Sequence, residues 1–199
     1  MNTKERILQE SLTLFSIRGY EAVSMREIGR SVGIKESSIY KHYSGKQAIL
    51  DAIISMAKTE INEMYIDLSV PNADNNNTIK NYLNMEIEDI ARLCTDMTVS
   101  QINNEIVLKF RRLLTIEQFR NPELQDIFIE LFIDRPMMYQ EKVFEFLLES
   151  GVLKGGTANM MAMEFFSPFF MMQYKLQNNH EQMIKVLQEH TISFIKKYL

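Results

Sequence analysis

Between Ser37 and Lys46 the chain gathers side chains suited to holding a polyanion: hydroxyls at Ser37 and Ser38, phenols at Tyr40 and Tyr43, cations at Lys41 and Lys46, and an imidazole at His42. Hydroxyl and ammonium groups donate to phosphate oxygens, and the positive end of a helix dipole favours the same anion. The chemistry implied is binding rather than turnover. No phosphate-binding Gly-rich loop, HExxH pair, Gly-x-Ser-x-Gly elbow or Cys/His ligand spacing occurs, so no catalytic residue, metal ligand or cofactor is expected. His42 lies far in sequence from His180 and His190, which favours a neutral base or phosphate contact over a metal site or a pH switch. Glu86, Glu88 and Asp89 read as a solvated helix face.

Such a set must be held on a short, firmly positioned element. The segment from Arg26 to Tyr43 has what two short helices crossing steeply require: a small residue where the backbones meet, a residue that tolerates positive φ at the turn, and apolar residues to lock the pair. Gly29, Gly33 and the set Ile28, Val32, Ile34 and Ile39 supply them. An ordinary helical hairpin would not need this spacing. A helix-turn-helix is therefore expected, its second helix entering the major groove of DNA. Ahead of it, Ile7, Leu8, Leu12 and Phe15 recur at helical spacing, with Asn2 or Thr3 as cap and Gly19 as stop. Ser24-x-x-Glu27 reads as a capping box opening a helix through Val32. The third helix is expected over 38–43, capped by Ser37 or Ser38, and a fourth from near Lys46, capped by Ser44, to about Leu68.

Gly19-Tyr20, Val23-Ser24-Met25-Arg26-Glu27-Ile28, Val32-Gly33-Ile34-Lys35 and the run Ser38-Ile39-Tyr40-Lys41-His42-Tyr43-Ser44-Gly45-Lys46 together resemble the N-terminal signature of TetR-family transcriptional regulators. The resemblance covers about residues 5–55. It implies that Ser24 and Arg26 touch DNA from the second helix, that Lys35, Ser37, Ser38, Tyr40 and His42 do so from the turn and third helix, and that Lys46 clamps a phosphate. Tyr43 stands where the family has an aromatic packed beneath the recognition helix. Glu36 departs from an anion-binding pattern; it either accepts from a cytosine amino group or, the favoured reading, faces solvent.

The rest of the chain is read by composition. With 46% hydrophobic residues and only 7 Gly and 4 Pro, the sequence has little material for turns, and an all-α chain follows. After a polar loop at 70–77, helices are expected at roughly 78–95, 101–118, 122–150, 157–177 and 180–198, about nine helices in total, with Pro136 and Pro168 kinking or breaking two of them. The expected architecture is an N-terminal three-helix helix-turn-helix DNA-binding domain over 1–50 and a larger helical-bundle ligand-binding and dimerisation domain over 51–199. Residues 1–50 hold eight Lys and Arg against five Glu, a net +3, which leaves −7 of the total −4 on the remainder. A basic head on an acidic body suits a head that meets polyanion. No stretch reaches the roughly 18 apolar residues of a membrane span, the start becomes charged at once, and Cys94 has no partner; a cytoplasmic protein is expected, without a membrane role.

Fourteen Met, most beyond residue 50, accompany eleven Phe there as an adaptable apolar interior. Core packing accounts for any one of them. The resemblance implies a chamber for a hydrophobic small-molecule effector, for which Tyr65, Tyr82, Met85, Phe132, Met138 and Phe165 are the candidate lining and Arg112 the candidate polar anchor. It further implies a homodimer through the last two helices, with Ile184, Leu187, Ile192 and Ile195 contributing, and a palindromic operator in double-stranded DNA. The alternative reading is a DNA-binding regulator or structural factor of the same fold that has no small ligand and answers to a protein partner.

Overall fold

The computed structural model describes residues 1–72, 74–175 and 179–199, and among these every regular element is helical. In chain order they are α1 (Thr3–Arg18), α2 (Met25–Val32), α3 (Glu36–Ile39), α4 (Lys46–Asp67), α5 (Asn76–Ile79), α6 (Ile87–Asn103), α7 (Glu105–Glu117), α8 (Pro122–Ile129), α9 (Arg135–Glu149), α10 (Ala158–Lys175) and α11 (His180–Tyr198). A 3-10 turn, Lys80–Asn84, follows α5, and a π-helical stretch, Glu130–Asp134, joins α8 to α9. Packing divides the chain into two compact units, Met1–Glu63 with Asn104–Ile129, and Met64–Asn103 with Glu130–Leu199.

In the first unit the helix ends are set by local chemistry. Asn2 and Glu5 exchange a reciprocal capping box at the start of α1, and Gly19 ends it at φ 83° with its N–H on Phe15 O. Ser24 and Glu27 make the same box for α2, as their spacing requires. α3 differs from expectation: it begins at Glu36 and stops at Ile39, so Ser37 and Ser38 lie inside it rather than capping it. The extended backbone of Lys35 lets Ser38 N–H reach Lys35 O at 2.9 Å, and the N–H groups of His42 and Tyr43 both fold back on Ile39 O at 2.8 and 3.0 Å. At the start of α4 the carbonyl of Gly45 accepts from Ile49 N, which puts Gly45, not Ser44, at the cap position. Ile7, Phe15, Ile28, Ile39, Ile53 and Phe110 are wholly buried in this unit.

The second unit packs α6 against α11 and α9 against α10. Phe165 centres a ring cluster, 5.6 Å from Phe144, 5.2 Å from Phe169 and 5.0 Å from Phe194, and His190 Nε2 lies 2.9 Å from Phe165 O. The helix expected at 78–95 is interrupted. Met85 is extended, and α6 restarts at Ile87 and continues to Asn103. Asn81 and Asn84 are weak helix formers, and the Tyr82 hydroxyl is held 2.7 Å from that of Tyr139, so a tertiary contact overrides the helical pattern. The helix expected at 122–150 is also divided. Pro136 has no N–H for the carbonyl four residues back and its ring would crowd it, and the wider π turn just before absorbs the misfit. Pro168 leaves α10 continuous. Residues 176 and 177, expected to end that helix, lie outside the described residues.

Candidate nucleic-acid interface and body cavities

The two glycines of the helix-turn-helix do different work. A Cβ on Gly29 would stand 2.9 Å from Ile34 O and 3.3 Å from Glu36 N, so only glycine lets α2 and the start of α3 approach this closely. Gly33 meets no such wall; it is required by its φ of +78°, the left-handed turn between the helices. Ile28, Val32 and Ile39 are buried beneath, and Ile34 partly so. Arg6 from α1 donates to Val32 O at 2.6 Å, satisfying a carbonyl at the end of α2. With the pair locked, the outward side of α3 and the turn after it carry Lys35, Ser37, Lys41 and His42 in exposed positions, Ser38 half-buried, and Tyr40 at 52% exposure. Tyr43 is buried, its hydroxyl 3.4 Å from Lys4 O. Arg26 and Glu36 are exposed.

Two of the expected DNA contacts are already engaged inside the unit. The Ser24 hydroxyl donates to Glu27 Oε2 at 2.8 Å and accepts from Glu27 N. Arg18 holds the other carboxylate oxygen at 2.6 Å. The Ser24 backbone N–H, Arg18 and the Ser24 hydroxyl together stabilise the ionised form and lower the Glu27 pKa to about 2. Lys46 donates to Tyr20 O at 3.0 Å and Glu21 O at 3.5 Å and lies 4.3 Å from the centre of the Tyr20 ring. Its ammonium therefore ties α4 to the α1–α2 turn, with one side left to solvent. That same turn is held from α7: Tyr20 N–H donates to Glu117 Oε1 at 2.8 Å, and Glu117 is 1% exposed. Nothing in the local sequence pairs Tyr20 with Glu117, and no spacing motif points to this tie.

Among the described residues of the second unit, two cavities stand out. The larger, about 810 Å³, is lined by Tyr65 and Met138 from the expected set and by Asp74, Glu130, Arg135 and Lys142. Arg135 stacks 4.9 Å from the Tyr65 ring centre, and Lys142 pairs with Asp74. The smaller, about 290 Å³, is lined by Tyr82, Met85 and Phe165 together with Cys94, Val143 and Leu147. Phe132 is buried and lines neither cavity, and Arg112 is exposed on α7 in the first unit and lines neither. Helical periodicity groups Arg135, Met138, Tyr139 and Lys142 on one face of α9 and Gln140, Val143, Phe144 and Leu147 on the adjoining one, without indicating which cavity either face lines. On α10, Met160, Met163 and Met171 are exposed along one stripe, with Tyr174 continuing it. Leu187, expected at a dimer surface, is instead wholly buried in its own unit. Among the described residues no group of three or more His, Cys, Asp and Glu could hold a metal ion, and no helix is long and apolar enough to cross a membrane.

A compact pair of crossed helices with a glycine contact and a polar, aromatic outer face defines a helix-turn-helix protein. Residues 7–53 match the model of the family "Bacterial regulatory proteins, tetR family". A relative is the biofilm operon icaADBC HTH-type negative transcriptional regulator IcaR of Staphylococcus epidermidis, 33% identical over 76 residues, which are 38% of this chain and 39% of that protein. The matched segment thus spans about two fifths of the relative's length. Over nearly the whole chain the fold is that of TetR-family regulators. PfmR of Thermus thermophilus superposes with a TM-score of 0.64 over 96% of this chain and 97% of its own at 20% identity. AibR, solved with isovaleryl coenzyme A and operator DNA, gives 0.66 over 94% and 96% at 15% identity. At these identities the likeness is one of fold.

Proposed function

We propose that the protein is a dimeric transcriptional repressor of the cytoplasm that binds a palindromic operator through residues 1–50 and is released by a hydrophobic small molecule bound within residues 51–199. The observation that carries the DNA-binding part is the exposed set on a glycine-locked pair: Ser37 of α3 and Tyr40, Lys41 and His42 of the turn after it project outward above the buried Ile39. Lys35, Ser38 and Arg26 flank it, and Ser24 and Lys46 lie at its edges, where their remaining exposed atoms can meet phosphates. Repression is supported by the relative named above, a negative regulator. The two cavities support effector control, as does the fold-neighbour AibR, which is described with both an acyl coenzyme A and its operator.

Dimerisation is supported by the outward stripe of α10. Met160 and Met171 are 60% and 52% exposed, and an apolar helical stripe of this kind is covered in a stable fold. A symmetric dimer can set two recognition helices about 34–36 Å apart, one turn of DNA, and a ligand that prefers another separation weakens binding by its differential affinity. The test is fluorescence anisotropy with duplexes from the DNA upstream of the gene. A palindromic duplex is expected to bind about 10³-fold or more tighter than a scrambled one. Equal affinity for both would overturn the reading.

A further inference from the structure

The two cavities of the second unit differ in the charge they can accept. Ile90 and Cys94 of α6, Val143 and Leu147 of α9, Phe165 of α10 and Ile195 of α11 form the wall of the smaller one. Among the described residues that line it, none is Asp, Glu, Lys or Arg. The carbonyl of Leu199, at its edge, is engaged by Lys154 Nζ at 3.3 Å. Its polar groups are few: the Gln140 amide, the Cys94 thiol, and the Tyr82 hydroxyl, which is already bonded to Tyr139. Burial pushes the Cys94 thiol up to about 12 and raises the Tyr82 phenol, so both stay neutral. Tyr82 lines the smaller cavity and Tyr139 the larger, which makes their hydrogen bond part of the partition between an apolar chamber and one lined by three carboxylates and two cations.

We infer that the effector is an uncharged, mainly apolar molecule of roughly ten non-hydrogen atoms, at about 30 Å³ each, held in the smaller cavity with at most one hydroxyl or carbonyl, which Gln140 meets. A charged ligand buried against this wall would be desolvated with no Asp, Glu, Lys or Arg side chain lining the cavity to compensate it. The inference rests on the proposal that this unit binds an effector.

The test compares 1-octanol, octanoate and octylammonium at neutral pH with the full chain, reading thermal stabilisation and binding by titration calorimetry. 1-Octanol is expected to bind at least about tenfold tighter than either ion, and to lose at least about tenfold in Val143→Phe and Leu147→Phe, which fill the cavity. Intermolecular nuclear Overhauser contacts from 1-octanol to the Phe144 and Phe165 rings of the unaltered protein give the same answer without a substitution. Tighter binding of either ion, no binding of any probe, or 1-octanol bound without those ring contacts would overturn the inference. If 1-octanol binds in the cavity yet leaves operator affinity unchanged, the cavity assignment stands and effector control falls. Release of DNA by a charged compound alone does the reverse.

Discussion

Tyr40 and Lys46 separate two ways in which a residue of the head can affect DNA binding. Tyr40 is 52% exposed, so Tyr40→Ala is expected to weaken operator binding by about tenfold or more while leaving the thermal midpoint unchanged. Lys46 also holds Tyr20 O and Glu21 O, and Lys46→Ala is expected to lower stability by about 1–2 kcal/mol as well as affinity. Denaturant titration beside anisotropy distinguishes the two, and unchanged stability in Lys46→Ala would argue against the tie. Glu27 makes a pH prediction. Its folded pKa of about 2 is below the ordinary carboxylate value, so its contribution is fully present above pH 4.5 and is lost as pH falls toward 2. The midpoint difference between the native protein and Glu27→Gln should therefore shrink between pH 5 and 2; a constant difference would refute the ionic cap.

At the scale of elements, the crossing of α2 and α3 and the tie from α7 to the α1–α2 turn carry the head. Gly29→Ala drives a methyl against the rigid Ile34 carbonyl and is expected to cost about 1–3 kcal/mol through overpacking. Gly33→Ala is expected to cost about 1–2 kcal/mol through backbone conformation alone, because its added carbon meets open space. Glu117→Ala leaves the buried Tyr20 N–H without an acceptor, at about 1–3 kcal/mol in chemical denaturation. Glu117→Gln keeps an acceptor and should recover most of that loss. If the two variants are equally unstable, the hydrogen bond is not what α7 contributes.

For the whole molecule, the charge division matters more than the total. A head of +3 on a body of −7 is expected to bind DNA with a strong salt dependence, log K falling against log [salt] by about 0.9 for each phosphate contacted. Lys41→Ala should reduce that slope by about one unit if Lys41 meets a phosphate, and an unchanged slope would remove the contact. Replacing Met163 and Met171 together by Lys places charge in the α10 stripe. Sedimentation is expected to show monomers, with operator affinity falling alongside; an unaltered dimer would place the interface elsewhere.

Local chemistry was legible in the sequence wherever one residue or a short spacing decides the outcome. The Ser24–Glu27 box, the Gly19 and Gly33 stops, the helical composition and the glycine-locked crossing of α2 and α3 depend on neighbours within a few positions. The polar set around Tyr40 was legible for the same reason. The length of α3, the break at Met85 and the π turn before Pro136 were not, because backbone bonds at Ile39, the Tyr82–Tyr139 pair and the packing of α9 decide between local alternatives of nearly equal energy. The Glu117 tie to Tyr20 and the sorting of charged from uncharged side chains between two cavities join residues tens of positions apart. Such contacts exist only once the helices are packed, and no periodicity along the chain encodes which distant side chain will face which.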